Sequence, residues 1–332
     1  MQPRDSDWTH SRPSRPAGVF VERWAQSHGS PYLIADDDES ADADVALVED
    51  ADVTAHAGAA SSSLEQLAFI DGVRRGEASL YQIVDGRFVR GIAGAFACGA
   101  VLARGAGRMT FDRVELGRLV IWGSGAVTPL PAIRGGWQWQ LASTASDDPQ
   151  APLADLQLRM RSAEGRLAEN VAGGQTLVVA DGPLNFAFRR ERLIVGYVKR
   201  HQRAYLPPEQ HARVPALRGG ERSSLFRIGA ERFSCYLRLC DEPFGGPWAG
   251  VVRLEFYASF GLEAARRSAD ALAWSLPRYA GLLHCDPRAP QNLQPIGALE
   301  NYLRRHLGSE AMAERAVRES VHAVPPQHRV SA

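Results

Sequence analysis

No stretch of this 332-residue chain approaches the roughly 18 consecutive apolar residues that a membrane-spanning helix needs. The N-terminus, MQPRDSDWTHSRPSRP, is basic but has no apolar segment behind it, so a secretory signal is not expected and the protein is read as cytoplasmic. Cysteine is scarce. Cys98, Cys235, Cys240 and Cys285 share no CxxC spacing and no neighbouring His pair, which argues against the common zinc sites and fits reduced thiols. Net charge is also lacking, with 38 basic residues against 38 acidic ones. A protein that coats nucleic acid by bulk charge would be distinctly basic, although a local basic groove stays open. A G-x-S-x-G elbow, a G-x-x-x-x-G-K-[ST] loop and an H-E-x-x-H pair are all missing, which removes the commonest serine hydrolases, nucleotide-phosphate binders and zinc proteases.

What is present is an ordinary globular composition, 45% apolar and 23% charged, biased towards Ala, Arg and Gly as in a GC-rich coding sequence. Acidic residues crowd one N-terminal stretch: Asp36, Asp37, Asp38, Glu39, Asp42, Asp44, Glu49, Asp50 and Asp52. Such a run reads as a solvated loop, or else as an arm that docks on a basic partner or covers the protein's own groove. Residues 1–60 are therefore expected to be flexible, apart from a short helix over 18–27.

Beyond this region the pattern turns regular. A first strand is expected over 67–71, and Asp85-Gly86 splits the next two strand-like runs as a two-residue hairpin does. RVELGRLVIWG is a further strand, 124–150 a loop, and 153–171 a helix stopped by Gly173-Gly174. TLVVADG and RLIVGYVK read as buried strands, 202–222 as a long connection, and RFSCYLRL and GVVRLEFYA as two more strands. Helices follow over 262–276, 293–307 and 310–321. Strands, helix, strands and then helices make an α/β domain around one mixed central sheet, with a helical C-terminal portion.

Two segments end alike, Leu67-Ala68-Phe69-Ile70-Asp71-Gly72 and Leu177-Val178-Val179-Ala180-Asp181-Gly182. Each reads as a buried strand delivering an Asp at its C-terminal end, where ligands of α/β sheets gather and Gly lets the backbone turn. Side by side, such carboxylates would repel and raise each other's pKa, a penalty that Mg²⁺ or Mn²⁺ relieves. The bland alternative is that each Asp-Gly is a simple turn. On the 153–171 helix, Glu164 falls within the stripe of Leu153, Leu156, Met160, Ala163, Leu167 and Val171, while Glu169 and Asp155 point away. An acid on a buried face needs a partner, unless it snorkels to water from the stripe's edge.

On three motifs in order, FIDG at 69–72, VVADGPL at 178–184 and Gly196-Tyr197-Val198-Lys199, the chain resembles the NurA-like nucleases over about residues 64–320. The resemblance implies a ribonuclease H-like nuclease domain over 61–325, with Asp71, Glu164 and Asp181 as metal ligands for Mn²⁺ or Mg²⁺. It also implies Lys199 near the scissile phosphate as a point charge, and DNA as substrate. As partners it implies a second copy of the chain in a homodimer and a HerA-type hexameric ATPase. The family's C-terminal Tyr-Pro pair and His are replaced here by Tyr279-Ala-Gly-Leu-Leu-His284-Cys-Asp286 and a Pro-rich stretch to Asn292. Either His284 takes the role from a shifted position, or Asp286 or Asn292 substitutes, or the site is weakened. Arg189, Arg190 and Arg192, with Lys199, Arg200, His201 and Arg203, are candidates to track a DNA backbone. A non-catalytic module of the same fold, binding DNA or an ATPase, is the competing expectation.

Overall fold

The computed structural model describes residues 18–21, 44–61, 65–104, 108–186, 192–201, 203–241 and 246–324. Three short strands come first: β1 (Val19–Val21), β2 (Val45–Leu47) and β3 (Ala55–Ala57). Long strands β4 (Gln66–Val84), β5 (Arg87–Arg104) and β6 (Arg108–Trp122) follow as an antiparallel meander. Asp85 and Gly86 join the first two with φ of 49° and 76°, the left-handed pair that a tight hairpin of right-twisted strands requires. After β7 (Gln140–Ser143), helix α1 (Ala151–Val171) crosses the sheet, and β8 (Thr176–Asp181) returns parallel to β4 on the side away from β5. Then come β9 (Ile194–Val198), α2 (Pro208–His211), β10 (Glu221–Ser223), β11 (Phe226–Ile228), β12 (Arg232–Arg238) and β13 (Val251–Tyr257). The chain closes on α3 (Leu262–Ser275), α4 (Gln294–Leu307) and α5 (Glu310–His322).

The result is a mixed sheet in the order β2-β11-β12-β13-β9-β8-β4-β5-β6-β7, covered by helices on both faces. Strand alternation divides its side chains. Ala68, Ile70, Phe96 and Val178 meet Leu156, Met160 and Ala163 of α1 on one face. Leu67, Phe69, Val73, Leu177 and Val179 meet Leu272, Leu299 and Leu303 of α3 and α4 on the other. Fully burying each Leu, Ile, Val, Phe or Met among them contributes about 1.5–3 kcal/mol, which is why these central strands read as continuous apolar runs.

The stretch 124–150, expected as a loop, contains β7, which pairs parallel with Leu119–Trp122 of β6, and three further expectations change. The first strand does not end at Asp71: β4 continues to Val84, because β5 pairs with it throughout, with a register shift between Gly76 and Ala78. What ends there is its other neighbour, since the parallel pairing with β8 stops at Ile70↔Ala180. Residues 18–21, expected in a helix over 18–27, form β1 and pair with Leu80–Gln82 of β4, while 22–27 lie outside the described residues. Finally, the described part of the 1–60 region is not a free arm. β2 pairs with β11, β3 pairs with β10, and Arg222, almost fully buried, holds Glu49 through both carboxylate oxygens at 2.7 and 2.8 Å. No described helix is long and apolar enough to cross a membrane.

Candidate metal centre

Asp71 and Asp181 stand one step beyond the last paired residues of adjacent parallel strands, so register places them opposite each other. Both share the alternation of Phe69, Val73, Leu177 and Val179 and therefore point to the α3/α4 face. Asp71 is 5% exposed. Its Oδ1 accepts from the Gly72 amide at 2.8 Å, while Oδ2 is buried without any hydrogen-bond partner. On Asp181, Oδ2 accepts from Lys199 Nζ at 2.6 Å and Oδ1 is likewise buried with no donor. Two buried carboxylate oxygens that no donor reaches are a costly arrangement for the chain on its own. Burial first, then the charges of Asp181 and Glu164, push the Asp71 carboxyl well above the usual carboxylate range, and Lys199 offsets only part of this.

Glu164 is buried, as its place in the α1 stripe requires, and Glu169 is half-buried. Glu164 reaches β4 from the α1 face: a Cβ added to Gly72 would lie 2.2 Å from its Oε1. Gly72 is thus the residue that lets the acid approach the strand. Arg161 Nη1 donates to Glu164 Oε2 at 2.9 Å and to the Asp181 carbonyl at 2.8 Å, tying helix and strand end together. The three carboxylates come to the same strand ends from opposite faces of the sheet, and their ligand oxygens do not all lie within 4.8 Å of one another.

Lys199 stands against the Asp181 carboxylate through the bond from its Nζ to Oδ2. Its Nζ donates also to Asn292 Oδ1 at 2.9 Å, and Asn292 Nδ2 donates to Asp286 Oδ2 at 2.6 Å. Arg288 then joins Asp286 to Glu300 of α4, with Nη2 2.9 Å from the first and 2.7 Å from the second. The Arg288 guanidinium beside Asp286 holds that carboxyl far below its ordinary range.

Of the replacements expected in the C-terminal loop, Asn292 and Asp286 are the ones joined to the carboxylates. His284 is exposed between exposed Leu283 and Cys285, and it makes no hydrogen bond or ion pair with any described residue. Arg189 and Arg190 lie outside the described residues, and Arg192 donates to the Ala172 carbonyl at 3.3 Å. His201 packs between Tyr236 and Trp248, its Nε2 lies 2.9 Å from the Val251 carbonyl, and burial lowers its pKa.

Among the described residues, the group of three that does gather ligand atoms within 4.8 Å is Glu49, Asp50 and His56, on and before β3. The sequence pattern concealed it inside the acidic run. Its charges are already answered: Glu49 by Arg222 and the Leu225 amide, Asp50 by Ser224 Oγ at 2.6 Å and His56 Nε2 at 2.7 Å. This group reads as the clasp that fastens β2 and β3 to the sheet.

In comparison with known proteins, no family model matches this chain and no curated protein matches it closely enough to assign a relationship.

Proposed function

We propose that this chain is a divalent-metal-dependent DNA nuclease of the NurA-like kind, with Asp71 and Asp181 as central metal ligands on a ribonuclease H-like core. The observation that carries the reading is the pair of buried oxygens, Asp71 Oδ2 and Asp181 Oδ1, left without donors at opposed positions of adjacent parallel strands. Hard oxygen donors of this kind suit Mn²⁺ or Mg²⁺. The order of elements supports the fold: a three-stranded antiparallel meander, a helix, then two strands parallel to the first, with acids on the first strand, the helix and the next strand.

When bound, such cations supply an activated water for in-line attack on a phosphodiester and charge for the leaving oxygen. The chain's own residues do the rest. Asp71 and Asp181 offer the oxygens that lack donors. Glu164 adds negative charge from the α1 face, oriented by Arg161. Lys199 donates to Asp181 and presents an ammonium beside the place where an anionic substrate would arrive. By the same resemblance the protein works as a homodimer fed by a HerA-type hexameric ATPase.

A second reading, a non-catalytic module of the same fold, is favoured by one observation. Lys199 already neutralises Asp181, so the folded chain holds part of its own counter-charge. Digestion of DNA with Mn²⁺ or Mg²⁺, compared between the wild type and Asp181→Asn with and without the ATPase, separates the two.

A further inference from the structure

Of the 38 Lys and Arg side chains in the chain, Lys199 is the only lysine. A coding bias towards arginine accounts for the scarcity, but not for the one lysine standing at the candidate centre. An arginine there would bring a planar fork of five donors, whereas an ammonium is a compact charge with three tetrahedral donors. Two of the three are used, on Asp181 Oδ2 at 2.6 Å and Asn292 Oδ1 at 2.9 Å.

Asn292 is 1% exposed, and its amide has one workable orientation. Its Nδ2 must face the Asp286 carboxylate and its Oδ1 the ammonium, because a flip would set donor against donor and acceptor against acceptor. Asp286 is itself fixed: its Oδ1 accepts from the Arg288 amide at 2.8 Å and from Arg288 Nε at 3.1 Å. The main chain is pinned as well. Tyr197, two residues before Lys199 on β9, donates its hydroxyl to the Gln291 carbonyl at 2.7 Å. A Cβ on Gly281 would lie 2.3 Å from the Asn292 carbonyl oxygen, so the two ends of the loop pack backbone to backbone.

We infer that Asn292 is the positioning residue of this centre: it holds Lys199 on Asp181 and aims the remaining ammonium proton towards an anionic substrate oxygen. The inference rests on the nuclease reading for its substrate. The Asn292–Lys199 arrangement itself can be tested without it.

Trace acylation with acetic anhydride, read by mass on the peptide containing residue 199, reports this lysine free of interference from any other. In full-length wild-type protein with EDTA, Lys199 should label far more slowly than in the denatured chain. Asn292→Ala should raise labelling several-fold with the folded far-UV spectrum retained. Asp286→Ala, at a half-buried loop position, should do the same to a smaller degree by releasing the amide's orientation. In Mn²⁺-dependent DNA cleavage both variants should lose kcat by about 10–100-fold with little change in KM, as for outer partners that orient a reactive group. Unchanged labelling in both variants overturns the inference, whatever happens to cleavage. Should Asn292→Ala fail to fold, Asp286→Ala decides, and unchanged labelling again overturns it. Raised labelling in a protein whose wild type does not cleave DNA upholds the arrangement and counts against the nuclease reading instead.

Discussion

Replacing Asp71 by Asn should make the metal-free protein more stable and remove its response to metal. Asp71 Oδ2 is buried without a donor, and Asp181 Oδ1 close by is in the same state. A buried acceptor left unpaired costs about 1–3 kcal/mol. Asp71→Asn removes one carboxylate from a repelling pair and introduces an amide that can donate to its neighbour. For a chain of this size about 1–3 kcal/mol corresponds to a melting-temperature rise of roughly 1–4 °C in EDTA. The pH dependence has a definite sign. Burial and the neighbouring carboxylates raise the Asp71 pKa in the folded protein above the unfolded value of 3.8. The folded chain thus keeps a proton that the unfolded chain has lost, and metal-free stability falls as pH rises from that value through the folded one. Asp71→Asn lacks this slope. With Mn²⁺ at about a hundred times its Kd, the wild type should gain about 2.7 kcal/mol, and the variant nothing. The order of melting temperatures therefore inverts between EDTA and Mn²⁺. Calorimetry at two pH values in each condition measures it. A variant less stable than the wild type in EDTA, or one with the full Mn²⁺ shift, would refute the reasoning.

Gly72→Ala would set a methyl 2.2 Å from Glu164 Oε1 and 3.0 Å from Met160 Cγ, so urea unfolding should show a loss of about 1–3 kcal/mol, with a weaker Mn²⁺ shift as Glu164 is displaced. Lys199→Arg should cleave DNA no faster than Lys199→Ala in initial-rate assays, because the fork cannot reproduce the two bonds to Asp181 and Asn292. His284→Ala should leave cleavage within about twofold of the wild type, since the imidazole is exposed and makes no hydrogen bond or ion pair with any described residue; a loss near 100-fold would return it to the centre. Arg222→Ala should cost about 3–5 kcal/mol in chemical unfolding by stranding Glu49 and Asp270.

The parts of the fold legible in the sequence are those with strong periodicity. Helices α1, α3, α4 and α5 lie within two residues of their expected bounds, and the Asp85-Gly86 turn is where its φ > 0 chemistry requires. The strands of three residues, β1, β2, β3, β10 and β11, were not legible, because so short a run carries no period and is held by its neighbours. At the centre, the opposition of Asp71 and Asp181 followed from two matching strand patterns, and Glu164 from helical phase. The strand's continuation past Asp71 did not, since Asp-Gly normally breaks a strand and only pairing with β5 carries it on. Asn292 stood in the sequence only as one of several stand-ins within the altered C-terminal stretch. Its role depends on a loop folding back over 93 residues to meet Lys199.

The most direct test of the proposed activity is degradation of linear DNA by the purified protein, alone and with a HerA-type ATPase, in Mn²⁺, in Mg²⁺ and in EDTA. Cleavage is expected in the metals, none in EDTA, and none by Asp181→Asn, whose DNA binding should persist because loss of a negative charge does not weaken phosphate contact. Wild-type protein indistinguishable from Asp181→Asn in every condition would contradict it.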